Sequence, residues 1–285
     1  MGHGKLKKFA ENETFRCLLQ PDASAVLAKE PGSKELKLND HPIKGNWGKE
    51  MFGNDHPIVL ELGCGKGDYT VALARRHPEI NYIGVDIKGA RLWKGAKEAT
   101  EAAMPNVAFL RTRIEFIEAF FGPGEVSEIW LTFSDPQLRG SENARLSSPL
   151  FLERYRKFLK ADGVVHLKTD SRYLYEYTQA VCKVNDLRVL ACGTDIYGGW
   201  APPSNTAEGG HGFGDMYPLT LDMVTQVQTF YEKMFLQMGL PITYMVFRIA
   251  HEGPYRFPGE AFDHAYWLEA EGPRRSFSHQ PAKKG

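Results

Sequence analysis

From residue 57 onward, short apolar runs rich in β-branched and aromatic residues alternate with longer amphipathic segments. This alternation predicts parallel strands joined by helices that cover both faces of one sheet. Seven runs are predicted as strands: Pro57–Leu62, Asn81–Ile87, Asn106–Arg111, Glu128–Phe133, Gly163–Lys168, Leu187–Cys192 and Ile242–Ile249. The pattern therefore predicts an α/β fold with a Rossmann-like, doubly wound, mostly parallel seven-stranded sheet.

Three helices are predicted from their ends and apolar faces, one of them in the segment after Asp170. In Ser148–Leu159, Ser148 is a suitable N-cap and Pro149 suits the first turn. A longer helix is predicted from Leu221 to Met238. The segment Gly193–Thr220 before it is rich in Gly and Pro and longer than an ordinary connection, which indicates a functional or disordered loop.

Composition narrows the class of protein. The 285 residues carry no formal net charge, and no apolar run approaches the roughly 20 residues that span a bilayer. The four cysteines are scattered without a C-x-x-C pair, and H-E-x-x-H is absent, so we expect no disulfide framework and no metal site. These features predict a cytoplasmic protein with no membrane partner.

The strongest local motif is Glu61-Leu-Gly-Cys-Gly-Lys-Gly67, which follows an apolar strand and opens a helix. Glycines at such a turn let a ligand approach the backbone closely. The spacing of Gly63, Gly65 and Gly67 differs from the G-x-G-x-x-G of dinucleotide sites, because Asp68 occupies the position of the third glycine. The pattern instead resembles the first motif of Rossmann-like methyltransferases and predicts a site for S-adenosylmethionine.

Two later strand ends complete the predicted cofactor site. Asp86 ends the second predicted strand, where a carboxylate can accept hydrogen bonds from both ribose hydroxyls. Thr112 and Arg113 follow the third predicted strand and are predicted to flank the adenine.

The fourth predicted strand leads into Phe133-Ser-Asp-Pro-Gln137, which places Asp135 at the carboxyl end of the sheet. Lys168-Thr-Asp170 and Thr229-Phe-Tyr-Glu232 follow in that order. Together with the glycine motif, this series resembles the bacterial tRNA (guanine-N7)-methyltransferase family over about residues 57–250.

The resemblance implies a function and residue roles. It implies methyl transfer from S-adenosylmethionine to N7 of a guanosine in the tRNA variable loop, with tRNA as the partner of a monomer or homodimer. Asp135 matches the family's catalytic aspartate and is also assigned to the cofactor site. The positions that match substrate-binding residues are Arg139, Asp170, Thr229 and Glu232. Residues 51–254 would form the methyltransferase domain, with extensions at 1–50 and 255–285.

The sequence departs from the family pattern near Asp135. Ser134 stands in place of a proline, Gln137 in place of a tryptophan, and the basic run that follows is reduced to Arg139 and Arg145. Both arginines are predicted to reach phosphates, as is the basic segment Lys5–Lys8.

The proposed chemistry suits carboxylates. Guanine N7 carries an in-plane lone pair and needs no general base, whereas guanine N1–H and N2–H₂ are donors that Asp135, Asp170 and Glu232 could accept. Structural roles remain open as alternatives: Asp135 could stabilise a turn, Asp170 could cap a helix, and Glu232 could lie on a solvated helix face. A small-molecule methyltransferase and a non-catalytic RNA-binding subunit remain alternative functions.

Overall fold

The computed structural model describes residues 3–28, 37–200 and 222–275. Within these residues eight strands form one sheet in the order β1-β4-β3-β2-β5-β6-β8-β7. The strands are β1 Leu18–Leu19, β2 Ile58–Leu62, β3 Asn81–Asp86, β4 Val107–Arg111, β5 Val126–Thr132, β6 Leu159–Thr169, β7 Val189–Gly193 and β8 Thr243–Arg248.

The seven predicted strands are confirmed as β2 to β8, and the sheet is mostly parallel as predicted. β8 alone among the described strands runs antiparallel to its neighbours β6 and β7. The eighth strand, β1, pairs in parallel with β4 at the sheet edge. Its two residues are too few to produce a periodic pattern, which is why the sequence did not predict it.

Eight α-helices accompany the sheet in the described residues: α1 His3–Asn12, α2 Asp68–Arg76, α3 Gly89–Glu101, α4 Pro149–Tyr155, α5 Arg172–Val184, α6 Asp222–Gln226, α7 Phe230–Gln237 and α8 His264–Arg275. Apolar residues of α4 and α5 pack on one face of the sheet with Leu60 and Leu62. Those of α2 and α3 pack on the other face with Val59. Helices therefore cover both faces, as the doubly wound prediction requires.

Two helix predictions need correction. The helix capped by Ser148, whose Oγ accepts from the Phe151 amide, ends at Tyr155, and Leu159 instead begins β6. The single helix predicted over Leu221–Met238 is wrong, because α6 and α7 are separated by residues 227–229. Thr229 caps α7 and so starts a second helix. Residues 201–221, most of the predicted long loop, lie outside the described residues.

The N-terminal helix α1 lies against α3. The Asn12 side chain donates to the Gly89 carbonyl at 3.0 Å, and the Trp93 indole donates to Glu11 at 2.6 Å. At the other end of the chain, α8 packs on α5. Among the described helices none combines the length and apolar character needed to cross a bilayer.

Candidate active site

A cleft of about 1030 Å³ opens at the carboxyl ends of the parallel strands. The chain runs from β2 outward to β4 and then returns to β5 on the other side of β2, so the strand order reverses between β2 and β5. Ligands of α/β proteins bind at such a reversal. The cleft is lined by residues following five strands, among them Gly63, Asp86, Thr112, Arg113, Ser134, Asp135 and Asp170.

The three glycines after β2 have different structural roles. Gly63 and Gly65 have φ angles of +78° and +58°, and a Cβ at either position would meet open space. A Cβ at Gly67 would lie 2.5 Å from the Phe109 ring on β4. The first two therefore leave backbone accessible for a ligand, whereas the third allows α2 to pack closely against the sheet.

Asp86 is held in the cleft by main-chain donors. The Gly65 amide donates to its Oδ2 at 3.0 Å and the Lys88 amide to its Oδ1 at 2.7 Å. Each carboxylate oxygen can accept a further hydrogen bond. The side chain is 8% exposed, so it presents fixed acceptors at the wall of the cleft. This donor and acceptor arrangement fits a ribose diol.

Glu61 does not line the cleft. Its Oε2 accepts from the amide and the hydroxyl of Thr70, at 2.9 and 2.5 Å, and its Oε1 accepts from the Thr132 hydroxyl at 2.5 Å. Burial raises the pKa of this carboxyl group to about 7. The structure thus places Glu61 behind the glycine loop, where it joins β2, α2 and β5.

The loop that carries Asp135 has a constrained backbone. Phe133 and Gln137, on either side of it, have φ angles of +50° and +51°, a region that residues other than glycine rarely adopt. Asp135 itself is exposed, and its Oδ1 accepts from the Gln137 amide at 2.9 Å. The buried Ser134 hydroxyl faces the cleft without a hydrogen-bond partner. Backbone strain of this kind is concentrated at functional sites.

Arg145 is buried beneath this loop, so the prediction that it reaches phosphates is wrong. Its Nε donates to the Pro136 carbonyl at 3.1 Å and its Nη2 to the Gln137 carbonyl at 3.3 Å. The guanidinium also lies 4.6 Å from the centre of the Tyr177 ring. Arg139, by contrast, is exposed. Arg145 therefore supports the unusual backbone around Asp135 from within the protein.

Three further predicted residues line the cleft: Thr112, Arg113 and Asp170. Arg113 forms an ion pair with Glu115 at 3.1 Å. The alternative role of Asp170 as a helix cap is wrong, because α5 is capped by Ser171, whose Oγ accepts from the Leu174 amide at 3.1 Å.

Thr229 and Glu232 lie outside the cleft lining. The Thr229 hydroxyl accepts from the Glu232 amide, and the Glu232 carboxylate accepts from the Thr229 amide, which is a capping box. Glu232 is fully buried, so the alternative of a solvated helix face is wrong. Its Oε1 lies 2.6 Å from the Lys168 ammonium and accepts from the Tyr197 hydroxyl at 2.7 Å.

Lys168 was not predicted as a site residue. Its side chain is fully buried, and its ammonium donates to the Val224 and Val227 carbonyls at 2.5 and 3.0 Å. Burial lowers the pKa of this ammonium, and the Glu232 carboxylate opposes that shift. The ion pair joins β6 to α7, and the two carbonyl contacts of Lys168 join β6 to the segment before α7. The T-x-x-E spacing of Thr229 and Glu232 is itself the sequence signature of a capping box.

The rim of the cleft is apolar on the α7 side. Tyr231, Met234 and Phe235 line it from α7, and Leu150 from α4. Tyr231 is 47% exposed, so its ring is available to a ligand. Among the described residues no group of three His, Cys, Asp or Glu side chains could hold a metal ion.

Comparisons with known proteins agree with this geometry. Residues 55–194 match the family model described as "Putative methyltransferase". The crystal structure of the 16S rRNA methyltransferase KamB matches with a TM-score of 0.52 at 14% identity, covering 75% of this chain and 96% of that one, which supports the Rossmann-like fold.

Proteins named tRNA (guanine-N(7)-)-methyltransferase are similar over most of the chain. The protein from Bacteroides thetaiotaomicron is 46% identical over 90% of this chain and 90% of its own length. That from Christiangramia forsetii is 46% identical over 86% of this chain and 97% of its own. That from Porphyromonas gingivalis is 42% identical over 86% and 90%, respectively. The chain therefore belongs to the tRNA (guanine-N(7)-)-methyltransferase family.

Proposed function

We propose that this enzyme transfers a methyl group from S-adenosylmethionine to N7 of a guanosine in the variable loop of tRNA. The observation that carries the proposal is that Asp86, Asp135 and Asp170, which lie at or just beyond the ends of three different strands, line one cleft at the strand-order reversal. The high identity to relatives of that name, over nearly their full length, supports the same substrate.

The cofactor half of the cleft lies between β2 and β4. Asp86 would accept hydrogen bonds from the ribose hydroxyls, and the open backbone at Gly63 and Gly65 would accommodate the ligand closely. Thr112 and Arg113 would lie beside the adenine. Glu61 keeps the glycine loop in place through Thr70 rather than by contact with the ligand. S-adenosylmethionine supplies an activated methyl group on its sulfonium.

The substrate half of the cleft carries the other two carboxylates. Asp135 and Asp170 would accept from N1–H and N2–H₂ of guanine, whereas adenine presents an acceptor at N1 and would be rejected. N7 needs no deprotonation, so the protein contributes mainly by alignment of the base. Asp135 is suited to this task because its loop is held by Arg145 and by its own bond to Gln137.

Local basic residues would offset the absence of net charge. Arg139 is exposed beyond the Asp135 loop, and Lys5, Lys7 and Lys8 lie on α1, which packs beside the cofactor half. Lys7 is paired with Glu11 at 3.8 Å and the Lys8 ammonium lies 4.4 Å from the centre of the Trp93 ring, so exposed Lys5 is the better candidate for a phosphate contact. A cytoplasmic location and a monomeric or homodimeric state stay predictions.

The test is to incubate the purified protein with bulk tRNA and S-adenosylmethionine labelled on the methyl group, and to identify the modified nucleoside. We expect labelled 7-methylguanosine, and less of it with Asp86→Ala at limiting S-adenosylmethionine, because the lost hydrogen bonds should weaken cofactor binding by about 1–3 kcal/mol. Label only in small metabolites would instead support a small-molecule methyltransferase. tRNA binding without label transfer would support a non-catalytic RNA-binding subunit.

A further inference from the structure

The C-terminal helix α8 inserts a carboxylate at the start of α5. The Tyr173 amide donates to Glu271 Oε2 at 2.5 Å, and the Ser171 hydroxyl donates to Glu271 Oε1. Glu271 is 6% exposed and Ser171 is fully buried, so both bonds are shielded from water. A carboxylate at a helix N-terminus is stabilised by the amides that have no partner within the helix.

These bonds act on the residues that follow Asp170 directly. Asp170 lies at the edge of the cleft, one residue before Ser171 and three before Tyr173. The first turn of α5 therefore fixes the point from which the Asp170 side chain projects, and Glu271 fixes that turn. Displacement of a binding group by about 1 Å can lower a rate about 10²-fold.

A second contact joins the start of α8 to the Asp135 loop. His264 Nδ1 lies 2.8 Å from the Tyr173 hydroxyl, and that hydroxyl accepts from Arg145 Nη2 at 2.6 Å. Arg145 in turn donates to the Pro136 carbonyl next to Asp135. The Phe262 ring packs edge-on against Tyr173 at 5.1 Å. Helix α8 thus contacts residues that hold both Asp170 and the Asp135 loop in place.

We propose that α8 is a positioning element of the active site and that Glu271 is the positioning residue for Asp170. The inference rests on the proposed function in one respect, since its kinetic readout is methyl transfer to tRNA. Glu271 lies outside the cleft lining and acts through Ser171 and Tyr173.

The kinetic test compares Glu271→Ala and Glu271→Gln with Glu269→Ala, a matched control at an exposed position of the same helix. We expect Glu271→Ala to lower kcat/KM for tRNA by at least about 10-fold, with S-adenosylmethionine affinity unchanged. Glu271→Gln keeps an acceptor for the Tyr173 amide and should recover part of the activity. Glu269→Ala should be fully active.

A double-mutant cycle separates positioning from stability. If Glu271 acts through Asp170, Glu271→Ala should lower kcat/KM little further in an Asp170→Ala background. A full additive loss, or wild-type kinetics for Glu271→Ala, would overturn the inference.

A crystal structure of Glu271→Gln or Glu271→Ala supplies a readout that does not depend on the substrate. We expect Asp170 to move relative to Asp86 in the alanine variant and less in the glutamine variant. An unmoved Asp170 in the alanine variant would overturn the inference even if the enzyme acts on another substrate. A wild-type enzyme that is inactive on tRNA would instead contradict the proposed function.

Discussion

Removal of the Glu232 carboxylate should destabilise the protein before it affects substrate recognition. Glu232→Ala leaves the Lys168 ammonium, which is fully buried, without its anionic partner at 2.6 Å. Loss of one partner of a buried ion pair costs about 3–5 kcal/mol. The Val224 and Val227 carbonyls still accept from Lys168, so the low end applies, with about 1 kcal/mol more from the lost hydrogen bond of the Thr229 amide to the Glu232 carboxylate.

Thermal unfolding measures this effect. At roughly 2–4 °C per kcal/mol for a chain of this size class, a loss of about 4 kcal/mol lowers Tm on the order of 10 °C. Lys233→Ala, at an exposed neighbouring position, should leave Tm unchanged. The double variant Lys168→Met/Glu232→Met should recover part of the loss, because it leaves no unpaired buried charge. A Glu232→Ala protein with wild-type Tm but no activity on tRNA would contradict a structural role for Glu232 and indicate that it contacts the substrate.

Four other variants test the site. Asp135→Ala should lower kcat by at least about 10²-fold with little change in calorimetric S-adenosylmethionine affinity. Gly65→Val should abolish that affinity with the fold retained by circular dichroism, since a φ of +58° suits glycine and a side chain there would occupy open space that we propose the ligand fills. Arg139→Ala should raise KM for tRNA and make its salt dependence shallower. Glu61→Gln should flatten the pH dependence of Tm: burial raises the pKa of Glu61 from 4.5 to about 7, so wild-type stability falls as pH rises through that window.

The sheet and the cleft at its strand ends could be predicted because their signals are local. Each central strand is a short apolar run, and Gly63, Gly65 and Asp86 lie directly after such runs. Parallel topology then brings the strand ends together. The sequence could not show that Glu61 points away from the cleft, because that depends on Thr70 and Thr132 in other elements.

The substrate half was harder to predict because its side chains depend on distant partners. Arg145 has the sequence context of a surface residue, yet Tyr173 and Tyr177 enclose its guanidinium. Glu232 is buried only because Lys168 lies beneath it. The contact of Glu271 with α5 spans about 100 positions of sequence, and no local pattern reports such a separation. In each case a tertiary contact, rather than the local sequence, determines where the side chain lies.

If the cleft presents guanine N7 to the methyl donor, replacing that single nitrogen in the tRNA should abolish methyl transfer. The enzyme is incubated with S-adenosylmethionine and a tRNA transcript that carries a guanosine in its variable loop. Strand scission after reduction and aniline treatment then maps the modified nucleoside. A matched tRNA with 7-deazaguanosine at that single position lacks the acceptor nitrogen but keeps N1–H and N2–H₂. We expect scission at the variable-loop guanosine of the first tRNA, and binding without methyl transfer for the second. Methyl transfer to the 7-deaza tRNA, or a modified cytosine or adenine in the first, would contradict it.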